Sequence, residues 1–198
     1  GDYMSLKSIE EYKAILKEKY KTVNDKEVEE RYLHSLSVGK KAREIVQRFG
    51  FPIDLEKIEI AGILHDYAKF EPYSKFVEIV NKYNLDKAIL NEPIKILHAL
   101  LGSYIVKEEV GITDEQILNA ITYHATGSLD MDRFAEVIFV ADVAEDLRKG
   151  EGFKRVKELA LTDFNKAILE KITFNLQKNP TKLNQALYEK YSKKIMEV

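Results

Sequence analysis

Residues 24–70 read NDKEVEERYLHSLSVGKKAREIVQRFGFPIDLEKIEIAGILHDYAKF. Asn24 or Asp25 can cap a helix that runs to Phe49, where Gly50 and Pro52 stop it. Asp54 opens another, whose apolar residues Ile58, Ala61, Ile63 and Leu64 repeat at helical rather than alternating spacing and which breaks before Pro72. Two consecutive helices joined by a short turn, with no strand pattern between them, point to an all-α architecture.

The rest of the chain follows the same grammar. Only 9 glycines and 4 prolines punctuate 198 residues, so long helices are the economical reading. Upstream, Ser5 or Ser8 can cap a first amphipathic helix through Tyr20, and Glu11, three residues after Ser8, completes a capping-box pattern. Downstream, helices are expected at Ser74–Tyr83, at Pro93–Glu109 with proline in the first turn, and from a Thr113 or Asp114 cap through His124 to Gly127. Met131–Leu147, Gly152–Lys178 and Thr181–Met196 complete the set. No internal repeat or low-complexity linker divides the chain, so one domain is expected, with an N-terminal helix in 1–24, a core in 25–150 and packed C-terminal helices in 151–198.

Composition narrows the chemistry. Lys plus Arg number 31 against 33 Asp plus Glu, a net charge of −2, which offers no broad basic field for nucleic acid or an anionic membrane. The absence of cysteine excludes disulfides, thiolate nucleophiles and Cys-ligated metals, leaving nitrogen and oxygen ligands. No apolar run reaches the roughly 18 residues of a membrane span, and the opening residues lack the apolar core of a signal peptide. A soluble, cytoplasmic protein is expected. Neither a P-loop nor a G-x-S-x-G elbow occurs.

The four histidines, His34, His65, His98 and His124, fall in or at the end of four different expected helices. Asp66 follows His65 directly, and Asp142 sits in the apolar string VIFVADVAED. Successive members lie roughly one helix plus its connection apart, so all could project into one bundle core. Imidazole and carboxylate together suit Fe, Mn, Zn or Co, and a carboxylate can bridge two cations where imidazole ordinarily cannot. Asp66 is the natural bridge, and a buried Asp142 needs a cationic or hydrogen-bonding partner. A lone histidine on an apolar helix face is ordinarily a hydrogen-bonded core residue; the weight here rests on six such groups in this order.

That order, with RYLHSLSVGKKA at 31–42, AGILHDYAKF at 61–70, ILHALLGSYIV at 96–106, AITYHATG at 120–127 and ADVAEDLR at 141–148, resembles the HD-domain superfamily of metal-dependent phosphohydrolases. Within it the strings are most similar to the YqeK family, bacterial HD proteins that hydrolyse diadenosine tetraphosphate symmetrically to two ADP. The resemblance implies an HD helical bundle over about residues 25–150. It implies one metal on His34, His65, Asp66 and Asp142 and a second on Asp66, His98 and His124. The family's centre is di-iron, although the same ligands accept Mn or Zn. The bound nucleotide would be diadenosine tetraphosphate, ADP or a GDP-like product.

Phosphate contacts are read from position. Arg31 lies one helical turn before His34, on the same face, and can aim its guanidinium at a phosphate, its alternative being a surface cation. Lys69, three residues after Asp66, could neutralise a bridging or leaving phosphate. Thr126 and Gly127, just past His124, could cradle phosphate or ribose, or simply stop a helix. Arg148 resembles a family arginine placed to meet substrate. Two departures stand out. Ala125 replaces the first threonine of the family's His-Thr-Thr-Gly, and Val143 and Asp146 replace the aromatic residue and proline of its Ala-Asp-Tyr-Ile-Glu-Pro string, which alters the wall expected around the distal nucleoside.

The resulting expectation is a phosphoanhydride hydrolase in which metals bridged by Asp66 activate water, with Arg31 and Lys69 in the catalytic set. The rivals are an HD phosphohydrolase of mononucleotides or cyclic dinucleotides, a di-iron oxygenase resembling myo-inositol oxygenase, and a non-catalytic nucleotide or metal sensor. An exposed apolar helix face could pair two copies into a homodimer, but no clear interface stands out. Asp66→Ala is expected to abolish metal binding and hydrolysis together, as metal analysis and turnover of one preparation would show; retention of both would remove Asp66 from the bridge.

Overall fold

The computed structural model describes residues 6–197, which form eleven α-helices and two short 3-10 turns with no strand among the described residues. The first helix, α1 (Ile9–Lys21), starts as expected: the Ser8 hydroxyl accepts from the Glu11 amide and the Glu11 carboxylate reaches back to the Ser8 amide. The alternative cap, Ser5, lies outside the described residues. The second, α2 (Val28–Phe49), begins later than either Asn24 or Asp25, because the Asp25 carboxylate accepts from the Glu27 amide in a preceding turn. It ends at Gly50, whose φ of 64° is a conformation glycine adopts without strain.

The third helix, α3 (Leu55–Leu64), is capped by Asp54 as read from sequence but stops well short of Pro72. From His65 to Phe70 the backbone turns tightly, with the Lys69 amide bonding the Asp66 carbonyl. The buried Tyr20 hydroxyl donates to that same carbonyl at 2.7 Å, so a residue on α1 pins the turn from outside the helix. Next come α4 (Tyr73–Lys82) and a 3-10 turn at Lys87–Asn91 that sequence reading missed.

The single helix expected over 93–109 is two, α5 (Ile94–Leu100) and α6 (Gly102–Val110). The break at Leu101 precedes Gly102, a poor helix former that packs where a Cβ would meet Ala68 at 3.5 Å, against the turn after α3. Helix α7 (Glu115–Tyr123) carries the expected Asp114 cap. Helix α8 (Arg133–Ala144) starts later than Met131, on an Asp132 cap, and ends before Leu147. The continuous helix expected over 152–178 is a 3-10 turn at Glu151–Phe153, then α9 (Lys154–Ala160) and α10 (Phe164–Lys178), because Asp163 turns its carboxylate onto the Lys166 amide and starts a new helix. Last, α11 (Lys182–Met196) is capped by Thr181.

At the centre lie α3, buried throughout from Ile58 to Leu64, and α8, buried on every face from Phe134 to Ala144. A helix apolar all round is a core helix, and the VIFVADVA string is one. One continuous apolar core extends from Tyr12 and Leu16 on α1 to Leu187 and Tyr191 on α11. The crossing of α2 over α3 is tight: a Cβ on Gly62 would stand 2.6 Å from both Cα and N of Gly39. No described helix is long and apolar enough to cross a membrane.

Since backbone rather than a yielding side chain meets that Cβ, Gly62→Ala must push the two helices apart. Chemical denaturation is expected to show a loss of about 3 kcal/mol, the upper end for overpacking a core.

Candidate metal centre

Five of the six expected ligands converge where α2, α3, α7 and α8 meet. His34 faces inward from α2; His65 caps the C-terminus of α3 with Asp66 next in the turn; His124 caps the C-terminus of α7; Asp142 lies in the last turn of α8. All five are buried. Nε2 of His34 is 3.3 Å from Nε2 of His65, and both stand 3.2 Å from Oδ1 of Asp142. Oδ2 of Asp66 lies 3.8 Å from His34 Nε2 and 3.6 Å from His65 Nε2, while its Oδ1 lies 3.4 Å from His124 Nε2. The two Asp66 oxygens thus face different histidines.

The tautomers follow from the outer partners. Nδ1 of His65 donates to the Gly62 carbonyl at 2.6 Å, and Nδ1 of His124 donates to the Ile121 carbonyl at 2.7 Å, the same local device at two helix ends. Nδ1 of His34 donates to Oε2 of Glu145 at 2.6 Å. With each Nδ1 proton committed outward, each ring in its neutral form presents an Nε2 lone pair inward. Lone pairs and carboxylates packed this closely repel unless a cation lies among them, and an outward Nδ1 partner is what metal-ligating histidines ordinarily have. Two overlapping sets, His34–His65–Asp66 and His65–His124–Asp142, have ligand atoms within 4.8 Å of one another. The donor set therefore fits divalent cations.

His98 stands apart from both sets. On α5, its Nε2 donates to the Glu71 carbonyl at 3.3 Å and its ring lies 5.4 Å from Phe76. Its Nδ1 is buried with no hydrogen-bond partner, so a free lone pair is present, but on the opposite nitrogen from the other three. Burial lowers the His98 pKa, which keeps that lone pair available.

Burial alone raises the carboxyls of Asp66 and Asp142, but neighbouring cations and histidine donors outweigh it and hold both well below the usual carboxylate range: His65, His124 and Arg31 for Asp66, and Lys171, His34 and His65 for Asp142. Burial lowers the His65 pKa, against the opposing pull of Asp66 and Asp142. At His34 burial is overcome by Asp142 and Glu145, which raise its pKa and so pull positive charge towards it.

The other expected contacts divide. Arg31 ion-pairs with Oδ2 of Asp66 from the α2 face one turn before His34. Arg148 donates from Nε to the Asp142 carbonyl at 3.2 Å and packs its guanidinium over Phe153. Lys69 is half-buried, its charge acting on His98. Gly127 is buried with φ 72°, and a Cβ there would meet Leu187 at 3.1 Å and Phe139 at 3.3 Å, so core packing accounts for this glycine. The phosphate-cradle expectation there rests on Thr126 alone, whose hydroxyl donates to the Gly127 carbonyl. At the departure from the family string, Asp146 makes an ion pair with Lys41 at 3.0 Å, a tether in place of proline's rigidity.

Two residues escaped the sequence reading. Glu145 follows Asp142 by three positions and so shares its helix face, a spacing that could have identified it. Lys171 on α10 is buried with Nζ at 2.7 Å from the His124 carbonyl, 2.6 Å from the Phe139 carbonyl and 3.4 Å from Oδ2 of Asp142; its burial, opposed by Asp142, lowers its pKa to about 8. A lysine on the same stripe as Ala167, Ile168 and Ile172 was its only signal.

Beside the cluster a cleft of about 490 Å³ is lined by Glu30, Arg31, Leu33, His34, Glu145, Leu147, Arg148 and Lys149. The HD domain family model matches residues 31–147, more than half of the chain. This chain belongs to the HD-domain family. It is 39% identical over 76% of its length to 82% of a symmetrical bis(5'-nucleosyl)-tetraphosphatase of Bacillus subtilis (strain 168). A protein of the same description from Staphylococcus aureus (strain NCTC 8325 / PS 47) is 34% identical over 86% of this chain and 82% of that one. These relatives place the chain in the YqeK family of HD proteins. A crystal structure of a predicted HD superfamily hydrolase involved in NAD metabolism, from Clostridium acetobutylicum, superposes with a TM-score of 0.74 at 31% identity, covering 87% of each chain.

In this HD protein Glu145 orients His34 without facing the cluster itself. Glu145→Ala is expected to leave the helical fold intact and weaken divalent-metal binding by about 10- to 100-fold, measured by competition with a chelator.

Proposed function

We propose that this HD protein is a metal-dependent phosphoanhydride hydrolase that cleaves diadenosine tetraphosphate symmetrically to two ADP. The observation that carries the reading is the cleft, in which cationic side chains of Arg31, Arg148 and Lys149 border His34 at the edge of the buried ligand cluster. A polyphosphate fits that border, and the names of the two bacterial relatives support a dinucleoside tetraphosphate as substrate.

One cation would be held by His34, His65, Asp142 and Asp66, a second by Asp66, His124 and His98. Divalent metal bound there supplies Lewis acidity, activating water near neutral pH and offsetting phosphate charge. Iron is favoured by the family likeness, with Mn and Zn compatible with the same donors.

The chain's own residues do the positioning. Arg31, ion-paired to Asp66, offers its remaining guanidinium donors to phosphate oxygens. Arg148 is held from two sides, by the Asp142 carbonyl and the Phe153 ring, so its charge is presented at a fixed place. Leu33 and Leu147, 44% and 53% exposed, flank the cleft and offer apolar surface to a nucleoside. Lys69 carries positive charge on the His98 side, where it can offset a leaving phosphate. Anchoring one ADP half in the cleft directs attack to a phosphate beside the central bridge.

Anaerobic incubation of the iron-loaded protein with diadenosine tetraphosphate is expected to yield ADP as sole product, with activity lost on chelation. ATP plus AMP would overturn the positioning, and absence of product from fully loaded protein would overturn the substrate.

A further inference from the structure

Lys171 lies on α10, beyond the residues matched by the HD family model, and is only 2% exposed. Its ammonium meets three acceptors, the carbonyls of His124 and Phe139 and Oδ2 of Asp142. Three acceptors match the three N–H bonds of a protonated lysine. One belongs to Asp142, one to His124, and the third lies three residues before Asp142 on α8. The His124 carbonyl stands just past the end of α7, where the helix itself provides no partner.

The division at Asp142 is sharp. Oδ2 is turned to Lys171, while Oδ1 is turned to Nε2 of both His34 and His65. Another cation near this carboxylate, Arg148, sits on its Oδ1 side at 3.8 Å and is partly exposed in the cleft. A buried lysine is costly unless its charge is matched, and an aliphatic residue would fill the apolar surroundings of Ala167, Ile168 and Ile172 more cheaply. The cost is explained if the charge is needed at Asp142.

We propose that Lys171 is a positioning residue for the metal centre: it holds Asp142 with one oxygen facing the histidines and ties the His124 end of α7 to α8. The C-terminal helices are then part of the site's construction. This inference rests on the metal-centre half of the proposed function and is independent of the substrate.

The test uses the full chain with Lys171→Met and Lys171→Gln, the latter retaining amide donors without the charge. Thermal unfolding is followed by circular dichroism with chelator and with Mn2+, Mn2+ affinity is read by electron paramagnetic resonance, and kcat and KM are measured on diadenosine tetraphosphate. Both variants are expected to fold, to gain far less thermal stability from Mn2+ than the parent, and to bind it about 10- to 100-fold more weakly. Loss of kcat with little change in KM should accompany this, because the cleft is untouched. Asn184→Ala, which removes the bond from α11 to the Asn179 carbonyl at the end of α10, should lower the melting temperature but keep the full Mn2+ shift. A Lys171 variant behaving like Asn184→Ala, with unchanged Mn2+ affinity, overturns the proposal, as does a parent protein that takes up no Mn2+. Should Lys171→Met not fold, Lys171→Gln decides. If the parent binds Mn2+ and the variants lose it while the dinucleotide is not cleaved, the positioning role stands and only the substrate reading fails.

Discussion

The helices α2 and α3 cross in close backbone contact at Gly39 and Gly62, and the site depends on it. A side chain at either position would stand between the helices. With none there, His34, five residues before Gly39, and His65, three after Gly62, bring their Nε2 atoms to 3.3 Å. Close-packed interiors transmit strain, so a small separation of these helices would open the ligand set directly.

The chain spends stability to hold this arrangement. Three carboxylates, Asp66, Asp142 and Glu145, are buried within one small volume, and each is matched: Asp66 by Arg31, Asp142 by Lys171, Glu145 by His34. Such pairs add little net stability over an apolar core, but loss of one partner leaves an uncompensated buried charge. Their value lies in geometry. Helix ends contribute in the same way, since His65 and His124 each sit at a C-terminus where the carbonyl three residues back accepts from Nδ1. A single local rule therefore sets the tautomer of two ligands.

The cleft adds asymmetry. On one side of the cluster Arg31, Arg148 and Lys149 line an opening; on the other, α10 seals the site with Lys171. The segment 145–149, which lines the opening, is secured by the Glu145–His34 bond, the Asp146–Lys41 pair and a Lys157 bond to the Arg148 carbonyl. The charges of Arg148 and Lys149 are thus carried on a tethered segment rather than on a free loop.

Periodicity and caps made most of the architecture legible. Ser8, Asp54, Asp114 and Thr181 start helices where their side chains predict, and Gly50 ends one. Asp132 and Asp163 are equally good caps and start α8 and α10, where apolar periodicity alone begins the one at Met131 and runs the other on from α9. The order of His34, His65, Asp66, His98, His124 and Asp142 points to one shared site, because it takes in all four histidines of a chain without cysteine. What order along the chain does not contain is distance. Whether α5 brings His98 against the other five, whether an acid three residues past Asp142 turns onto His34, and whether a lysine on a helix without a motif reaches Asp142 all depend on how helices pack against one another. The sequence by itself determined the all-α class, most helix starts and the chemical types of the clustered groups, since capping and side-chain chemistry are local; the tertiary structure alone decided which ring nitrogens face inward and which charges answer them, since those follow from contacts between residues as far apart as 111 positions.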